Sequence, residues 1–306
     1  MALNPEVAIQ IEEIRQDRIH GASWLSRQAI SIMNLAAEKS EAKDVADFLE
    51  ELRLVGRELM NSKPSMAPMT NRISCFIYEI SQESQTEKEL GSLRKLARSK
   101  AFELAKDAEE AFSKVAEQGI KVIKNRDRIM TCSYSSTICQ ALRLAKLAGK
   151  EFNVLVSESR SSSGKAYGES TAEQIKVYGI PAEIIPDNTI EHYISRVDRV
   201  LVGADSILAD GSLINGTPTR RVTVAAKEGK IPAYSLCEIA KFDVRSCLEL
   251  EEGFDRVPPY LITGVITEKG KMKPSEVISY IKEMERYVKT QIQSSRSDSA
   301  TPPPGQ

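Results

Sequence analysis

The segment from residue 199 to 219 carries residue types that could do chemistry. Residues 200–202 have the pattern of a buried strand, and Asp205 follows almost directly after it. Open α/β sheets bind their ligands outside the carboxyl ends of parallel strands, so a carboxylate here could exchange a proton with a bound substrate. Aspartate is also favoured in turns, and a purely structural role for Asp205 is the alternative interpretation.

A second candidate group follows residues 128–131, which predict another buried strand. Cys132 and Ser133 come directly after this run, and Ser135 precedes a helical pattern that reaches residue 147. The start of a helix can bind a phosphate through free N–H groups, although Ser135 could equally act only as the helix cap. Successive strand residues point to opposite faces, so if Ser133 faces the crevice, Cys132 should face away, unless the strand has already ended and the loop turns Cys132 inward.

The first part of the chain must position these groups through helices alone. Apolar residues recur there at helical spacing, with few β-branched runs. Such stripes face a hydrophobic core in nearly all proteins. The predicted helices span residues 7–19, 24–39, 42–61, 69–82 and 86–118.

From about residue 125 onward, short β-branched runs alternate with helical segments, a pattern typical of a parallel sheet with crossover helices. The predicted fold class is therefore α/β, with a helical N-terminal domain at 1–122 and a Rossmann-like parallel-sheet domain at 123–290. Asp210 and Gly211 predict a tight hairpin turn. The polar, proline-rich residues 291–306 are predicted to be a disordered tail. The strands are expected at 128–131, 152–156, 182–185, 200–202, 233–236 and 260–265.

The composition excludes several classes of function. The 306 residues carry a net charge of −1 without a long basic block, which argues against direct binding of nucleic acid. No apolar run is long enough to cross a bilayer, and the acidic start is unlike a signal peptide, so we expect a cytoplasmic protein without membrane contact. Five cysteines without zinc-type spacing and only two histidines predict no metal site. Neither GxGxxG nor GxxxxGK[ST] occurs, so no cofactor is expected.

Five stretches, taken together in order and spacing, resemble one family. This family unites the alpha, beta and delta subunits of initiation factor 2B with ribose-1,5-bisphosphate isomerase and methylthioribose-1-phosphate isomerase. The resemblance runs from about residue 11 to 282 and implies a helical domain joined to a Rossmann-like domain. The stretches are RIHGASWLSRQAI at 18–30, IMTCSYSS at 129–136, LVSESRSSSGK at 155–165, VGADSILADGSLIN at 202–215 and EIAKF at 238–242.

The resemblance also implies roles for particular residues at the ends of the strands. The family's general acid/base aspartate falls on Asp205, which is present. Its catalytic cysteine falls on Ser133, and Cys132 stands one position early. Its asparagine–lysine pair falls on Asn215 and Gly216, so the lysine is missing, whereas a substrate-binding lysine is kept as Lys241.

Two phosphate-binding positions of the family also differ here. Its arginine-containing turn corresponds to His20, Gly21, Ala22 and Ser23, so histidine replaces the arginine. A second arginine, which precedes a proline, corresponds to Lys63. These replacements remove permanent positive charge that a bisphosphate would favour. A serine at the cysteine position would need a neighbouring base to be activated.

Three functional hypotheses remain open at this point. The first is a homo-oligomer, like the initiation-factor alpha subunit, that binds a phosphorylated sugar or nucleoside monophosphate and has a translation factor as a partner. The second is a sugar-phosphate aldose–ketose isomerase that uses Asp205 with Cys132 or Ser133. The third is a scaffold without a ligand. The resemblance implies a homodimer or a dimer-based hexamer. We expect one pocket between the two domains, lined by Asp205, Ser133, Gly21, Ala22, Ser23, Asn215 and Lys241.

Overall fold

A computed structural model describes residues 3–162 and 164–297, and its first part is helical as predicted. Local signals in the sequence explain where these helices begin. Asn4 caps the first helix through Glu6 N–H, with Pro5 at the first position, and Asp44 caps the third helix through Asp47 N–H. The five helices are α1 (Pro5–Gln16), α2 (Ala22–Lys39), α3 (Val45–Ser62), α4 (Ala67–Glu83) and α5 (Leu90–Gly119).

These helices pack around α2, which contacts all four of the others. Their buried stripes form one hydrophobic core that includes Leu25, Phe48, Leu59 and Phe76, each of which is completely buried. Removal of this apolar surface from water is the main force that holds the helices together. The helical region is thus a rigid support for the loops that connect its helices.

The second part of the chain is a seven-stranded sheet in the order β10-β9-β7-β4-β1-β2-β3. All neighbouring strands are parallel except β10, which pairs antiparallel with β9. The strands are β1 (Arg128–Thr131), β2 (Asn153–Ser157), β3 (Ala182–Ile185), β4 (Arg199–Val202), β5 (Ser206–Ile207), β6 (Leu213–Gly216), β7 (Ala233–Leu236), β8 (Phe254–Val257), β9 (Gly264–Thr267) and β10 (Gly270–Met272).

Helices cover both faces of this sheet, and alternate strand residues enter separate cores. Ile129 of β1 packs in one core and Met130 in the other. This alternation is the expected consequence of the two-residue repeat of a strand. The helices are α6 (Ser136–Leu147), α7 (Tyr167–Val177), α8 (Ile190–Tyr193), α9 (Thr219–Glu228) and α10 (Val277–Ser297).

The order of the strands creates a switch point between β1 and β4. The chain moves outward from β1 to β2 and β3, and then returns to place β4 on the other side of β1. Connections therefore leave these two neighbouring strands in opposite directions, which opens a crevice at their carboxyl ends. Both candidate groups of the sequence lie at this crevice, because Ser133 follows β1 and Asp205 follows β4.

The hairpin predicted at Asp210 and Gly211 is confirmed, since β5 and β6 pair antiparallel on either side of it. Gly211 has φ +82°, which a glycine adopts without strain. β8 joins this hairpin to make a three-stranded sheet that the sequence patterns did not predict.

Two further expectations need correction. The extended segment expected at 260–265 begins as a helical turn over Pro259–Leu261, and the strand follows it as β9. α10 continues to Ser297, so residues 291–297 are helical and not part of a disordered tail. The remainder of the predicted tail, 298–306, lies outside the described residues.

The division into domains at residue 122 stays a prediction. Among the described residues, no helix combines the length and apolar character needed to cross a membrane.

Candidate functional site

Asp205 and Ser133 meet around one strand, β6. The Asp205 backbone N–H donates to the carbonyl of Ile214 at 2.9 Å. Two residues further along β6, a Cβ atom built on Gly216 would lie only 2.6 Å from Oγ of Ser133. The loops after β4 and β1 therefore both contact β6 at the carboxyl edge of the main sheet. The two residues that the sequence proposed as catalytic therefore both lie beside β6.

The Asp205 carboxyl is placed where its proton can exchange near neutral pH. Burial is the main cause that raises its pKa, to about 6. The positive charges of Lys241 and Lys63 lower it, and the negative charge of Glu251 raises it. No hydrogen bond to the carboxylate oxygens occurs within residues 3–162 and 164–297. A carboxyl with these properties can act as a general base or a general acid.

Ser133 is held in an unusual backbone conformation. Its φ is +57°, a left-handed value that costs a residue other than glycine about 1–3 kcal/mol. Its N–H donates to Oγ of Ser159 at 2.6 Å, and its carbonyl accepts from Oγ1 of Thr171 at 2.6 Å. Ser159 is itself left-handed and donates its N–H to Asp187 at 2.8 Å. Three residues that the sequence analysis missed thus hold the backbone of Ser133 in place.

Two glycines make room for the serines of this crevice. A Cβ on Gly203 would lie 2.7 Å from Oγ of Ser135, just as one on Gly216 would crowd Ser133. Ser135 caps α6 by accepting the N–H of Ile138 at 3.3 Å. The capping role considered for Ser135 is therefore confirmed, and its hydroxyl lies beside the loop that carries Asp205.

Cys132 does not share the position of Ser133. Its side chain is 1% exposed, and its Sγ lies 3.3 Å from Oγ1 of Thr219. Burial raises the pKa of this thiol to about 12, so it stays protonated at neutral pH. The structure thus argues against Cys132 as an acid/base partner. β1 ends at Thr131, so strand alternation does not apply to Cys132 and Ser133. Asn215 also binds Thr219, through an Nδ2 to Oγ1 hydrogen bond of 2.8 Å.

Two buried lysines supply positive charge near Asp205. Lys63 follows α3 and donates from Nζ to the carbonyl of Asp17 at 2.7 Å. Burial, followed by the charge of Arg18, lowers the pKa of Lys63. Lys241 lies just after β7, with Nζ 3.5 Å from Oε2 of Glu238.

The turn that carries Lys241 is clamped by the helical region. Nδ2 of Asn71, on α4, donates to the carbonyls of Ala240 and Phe242, on either side of Lys241, at 2.7 Å each. Oε2 of Glu238 accepts from Oγ of Ser23 at 3.0 Å. These contacts join α2 and α4 to the end of β7, and sequence reasoning missed Asn71 and Glu238.

The segment from His20 to Ser23 leads into α2, and its residues differ in burial. Gly21 is the cap residue, has φ −83°, and has open space where a side chain would be, so neither strain nor crowding requires glycine there. The Ala22 side chain is 1% exposed and packs in the core of the helical region. Ser23 is also buried, bound to Glu238 as described above. His20 is half-buried beside Asp17.

The residues that the structure describes include no group of three or more histidine, cysteine, aspartate or glutamate side chains arranged to hold a metal ion. The chemical groups of the crevice are instead a carboxyl, hydroxyls, an imidazole and ammonium groups. This set suits a ligand that carries negative charge and exchangeable protons.

A sequence model of the initiation factor 2 subunit family matches residues 18–252. Over 300 residues, the chain is 29% identical to the ribose 1,5-bisphosphate isomerase of Pyrococcus furiosus, with 89% of this chain and 92% of that protein covered. It is 30% identical over 287 residues to a translation initiation factor eIF-2B subunit 2-like protein of the same organism, covering 88% of this chain and 98% of the relative.

The fold is shared with a solved structure, the translation initiation factor eIF-2B of Pyrococcus horikoshii. The TM-score is 0.77 and the sequence identity is 27%, with 90% of this chain and all of that chain covered. The similarity thus extends over the helical region and the sheet, and includes the elements that build the crevice.

Proposed function

Because the chain belongs to the initiation factor 2 subunit family, we propose that it binds a phosphorylated sugar in the crevice and interconverts its aldose and ketose forms. The observation that carries this proposal is the raised pKa of the Asp205 carboxyl. Its pKa is raised to about 6, and two lysine charges lie close enough to act on it. Such a group is suited to take up and release a proton during one reaction cycle.

The proposed chemistry moves a proton between adjacent carbons. The phosphate on O1 keeps ribose 1,5-bisphosphate in its ring form, so the bond between C1 and O4 must break, and O4 takes up a proton from solvent. Asp205, ionised at neutral pH, removes the proton from C2 to give an enol phosphate and then returns a proton to C1, while the C2 hydroxyl loses its proton and becomes the carbonyl. The charge that develops on the substrate oxygen is stabilised by the ammonium group of Lys241. Lys63 binds a phosphate group as a point charge. Ser133 and Asn215 orient the hydroxyl groups of the sugar.

The relatives favour this function over the other hypotheses. The Pyrococcus furiosus isomerase is named for ribose 1,5-bisphosphate and aligns with nearly the whole chain. Another ribose 1,5-bisphosphate isomerase, of Archaeoglobus fulgidus, is 32% identical over 241 residues, which cover 79% of this chain and 73% of that protein. Ribose 1,5-bisphosphate is therefore the first substrate to test.

A second candidate function is binding without turnover. Ser133 favours it, because a serine hydroxyl stands where the resemblance implies a catalytic thiol. In that case the ligand is a phosphorylated sugar or a nucleoside monophosphate, and the protein has a translation factor as its partner. The eIF-2B subunit 2-like relative supports this alternative.

We further propose that the chain works in the cytoplasm as a homodimer or a dimer-based hexamer, as the resemblance implies. Light scattering at micromolar concentration is the direct test of this assembly. The result we expect is a mass of at least two chains, and a monomer would refute it.

Phosphorus and carbon NMR of the protein incubated with ribose 1,5-bisphosphate separates the two candidate functions. Isomerisation predicts signals of ribulose 1,5-bisphosphate. Binding without turnover predicts an unchanged substrate and an Asp205→Asn variant whose affinity stays within about tenfold of the wild type, roughly 1.4 kcal/mol. Methylthioribose 1-phosphate serves as a second substrate in the same assay.

A further inference from the structure

Arg72 is a buried cation on α4, and it is only 9% exposed. Its Nε atom has no hydrogen-bond partner, and its guanidinium group forms no ion pair, within residues 3–162 and 164–297. Burial lowers the pKa of Arg72, but a guanidinium group stays protonated in proteins. A charge that is removed from water without a partner is costly. We therefore expect Arg72 to bind an anionic group in another state of the protein.

Glu238 is the carboxylate that can serve as this anionic group. It begins the turn after β7 to which Asn71, the neighbour of Arg72, donates two hydrogen bonds. Glu238 is 1% exposed, and among the residues that the structure describes its Oε1 atom has no hydrogen-bond partner. Burial raises the pKa of Glu238, but the charges of Lys241 and then Arg72 bring it below its ordinary value, so the carboxyl is ionised. The Oε1 acceptor thus lies within electrostatic range of the Arg72 donor.

The other carboxylate oxygen of Glu238 interacts with groups near the crevice. Oε2 accepts from Oγ of Ser23 at 3.0 Å and lies 3.5 Å from Nζ of Lys241. The charge of Lys241 also acts on Asp205. The ammonium group of Lys241 is therefore shared between two carboxylates. An anionic ligand that binds Lys241 must compete with Glu238 for it.

We propose that Arg72 is a positioning residue for Lys241, and that it binds the carboxylate of Glu238 when Lys241 turns from Glu238 to the ligand. The proposal rests on the proposed function, which gives Lys241 an anionic substrate to bind. Nε–H of Arg72 then donates a charge-assisted hydrogen bond to Oε1 of Glu238, so neither charge stays buried without a partner. Without Arg72, the departure of Lys241 would leave Glu238 as an uncompensated buried charge. Arg72 thus favours the ligand-bound state without touching the ligand.

The other charged groups around Arg72 are less suited to this role than Glu238. Arg27 on α2 has the same sign and repels Arg72. Glu268, which follows β9, attracts Arg72, but both of its carboxylate oxygens already accept a backbone N–H group of the turn, at 3.3 and 3.0 Å. Asp107 on α5 is exposed to water. Glu238 exerts the strongest charge effect on Arg72 and has an oxygen to offer.

Calorimetry with ribose 1,5-bisphosphate tests the proposal in a double-mutant cycle of Arg72→Met and Glu238→Gln. Arg72→Met should weaken binding about tenfold, because Lys241 then leaves Glu238 less readily. In the Glu238→Gln background the same change should have no further effect, because the carboxylate that competes for Lys241 is gone.

Arg94→Met on α5 is the matched control for this cycle. Nε of Arg94 is likewise buried without a hydrogen-bond partner in the described part of the chain, but its guanidinium group donates to two carbonyls that follow α2. This variant should bind the ligand as the wild type does.

Unfolding in denaturant tests the same exchange of partners without any ligand. In the wild type Glu238 is paired with Lys241, so Arg72→Met should leave the midpoint of unfolding unchanged or raise it, because it removes an unpaired buried cation. In a Lys241→Met background Glu238 depends on Arg72, so Arg72→Met should lower the midpoint. A merely structural role of Arg72 predicts a lower midpoint in both backgrounds.

Unchanged affinity in Arg72→Met would overturn the proposal, as would a loss of affinity that persists in the Glu238→Gln background. A lower midpoint for Arg72→Met in the wild-type background, or an unchanged one in the Lys241→Met background, would also overturn it. If the wild type fails to bind ribose 1,5-bisphosphate, the proposed function is refuted. The stability comparison then still supports or overturns the transfer of Glu238 from Lys241 to Arg72.

Discussion

Oγ of Ser133 occupies the space that a side chain on Gly216 would need, since a Cβ there would lie 2.6 Å away. Gly216 ends β6, the strand whose Ile214 carbonyl binds the backbone of Asp205. The Ser133 hydroxyl therefore points toward the same strand as the proposed acid/base group. The backbone of Ser133 is left-handed and is held by hydrogen bonds with Ser159 and Thr171.

Replacement of Ser133 by cysteine should make the protein a faster isomerase. A thiol ionises far more readily than a hydroxyl and can share acid/base work with Asp205, so we expect turnover to rise about 10²-fold. The matched control is Cys132→Ser, which changes a buried thiol whose pKa of about 12 keeps it protonated and should leave turnover unchanged. Equal rates for wild type and Ser133→Cys, or loss of turnover in Cys132→Ser, would contradict the assignment.

Asp205 should reduce the stability of the folded protein at neutral pH. Its folded-state pKa of about 6 lies above that of an unfolded aspartate, so its ionisation opposes folding as pH rises. A shift of about two pKa units corresponds to roughly 3 kcal/mol. Asp205→Asn should therefore raise the free energy of unfolding at pH 7 by up to roughly that amount. The gain should shrink as pH falls from about 6 and disappear below about 4.

Asp243 is the control for that stability measurement. It is also a buried carboxylate, but it forms an ion pair with Arg245, with 2.6 Å between Oδ2 and Nη2. Asp243→Asn should therefore lower stability at pH 7, whereas Asp205→Asn raises it. Denaturant unfolding at several pH values measures both effects. A loss of stability in Asp205→Asn at pH 7 would mean that the carboxylate is well stabilised in the crevice.

Asn71 should affect ligand binding only through Lys241. Its two hydrogen bonds to Ala240 and Phe242 hold the turn that presents the ammonium group, so Asn71→Ala should weaken binding of ribose 1,5-bisphosphate about tenfold. In a Lys241→Ala background the same change should have no further effect, because contacting residues do not act additively.

Calorimetry of the four proteins in this cycle tests the coupling, with Asn34→Ala on α2 as a control that should bind normally. An equal loss of affinity in both backgrounds would show that Asn71 acts on the fold in general.

Much of the fold followed from local patterns. Helical spacing predicted α1 to α5, and the β-branched runs predicted β1 to β4 and β7, because these elements bury regular stripes of apolar residues. The family resemblance, carried by five separated stretches, is confirmed by the match over residues 18–252. β8 was missed because its first three residues are only partly buried and give no clear alternation.

The candidate site could be predicted only for residues that follow shortly after a strand. Asp205 and Ser133 follow buried strands, so their common edge could be inferred from the order of elements. Asn71 and Asp187 contact residues that are distant in the sequence. The residues next to them in the sequence form no motif that would mark them as part of the site. The left-handed backbone of Ser133 also could not be foreseen, because serine does not favour that conformation.

Reaction of ribose 1,5-bisphosphate in D₂O tests most directly the claim that Asp205 moves a proton within a bound sugar phosphate. We predict that the wild type forms ribulose 1,5-bisphosphate with deuterium at C1, because the carboxyl exchanges with solvent between removing a proton from C2 and returning one to C1. Asp205→Asn should form this product about 10²- to 10⁴-fold more slowly. An unchanged substrate, a product without deuterium, or full activity in Asp205→Asn would contradict the account.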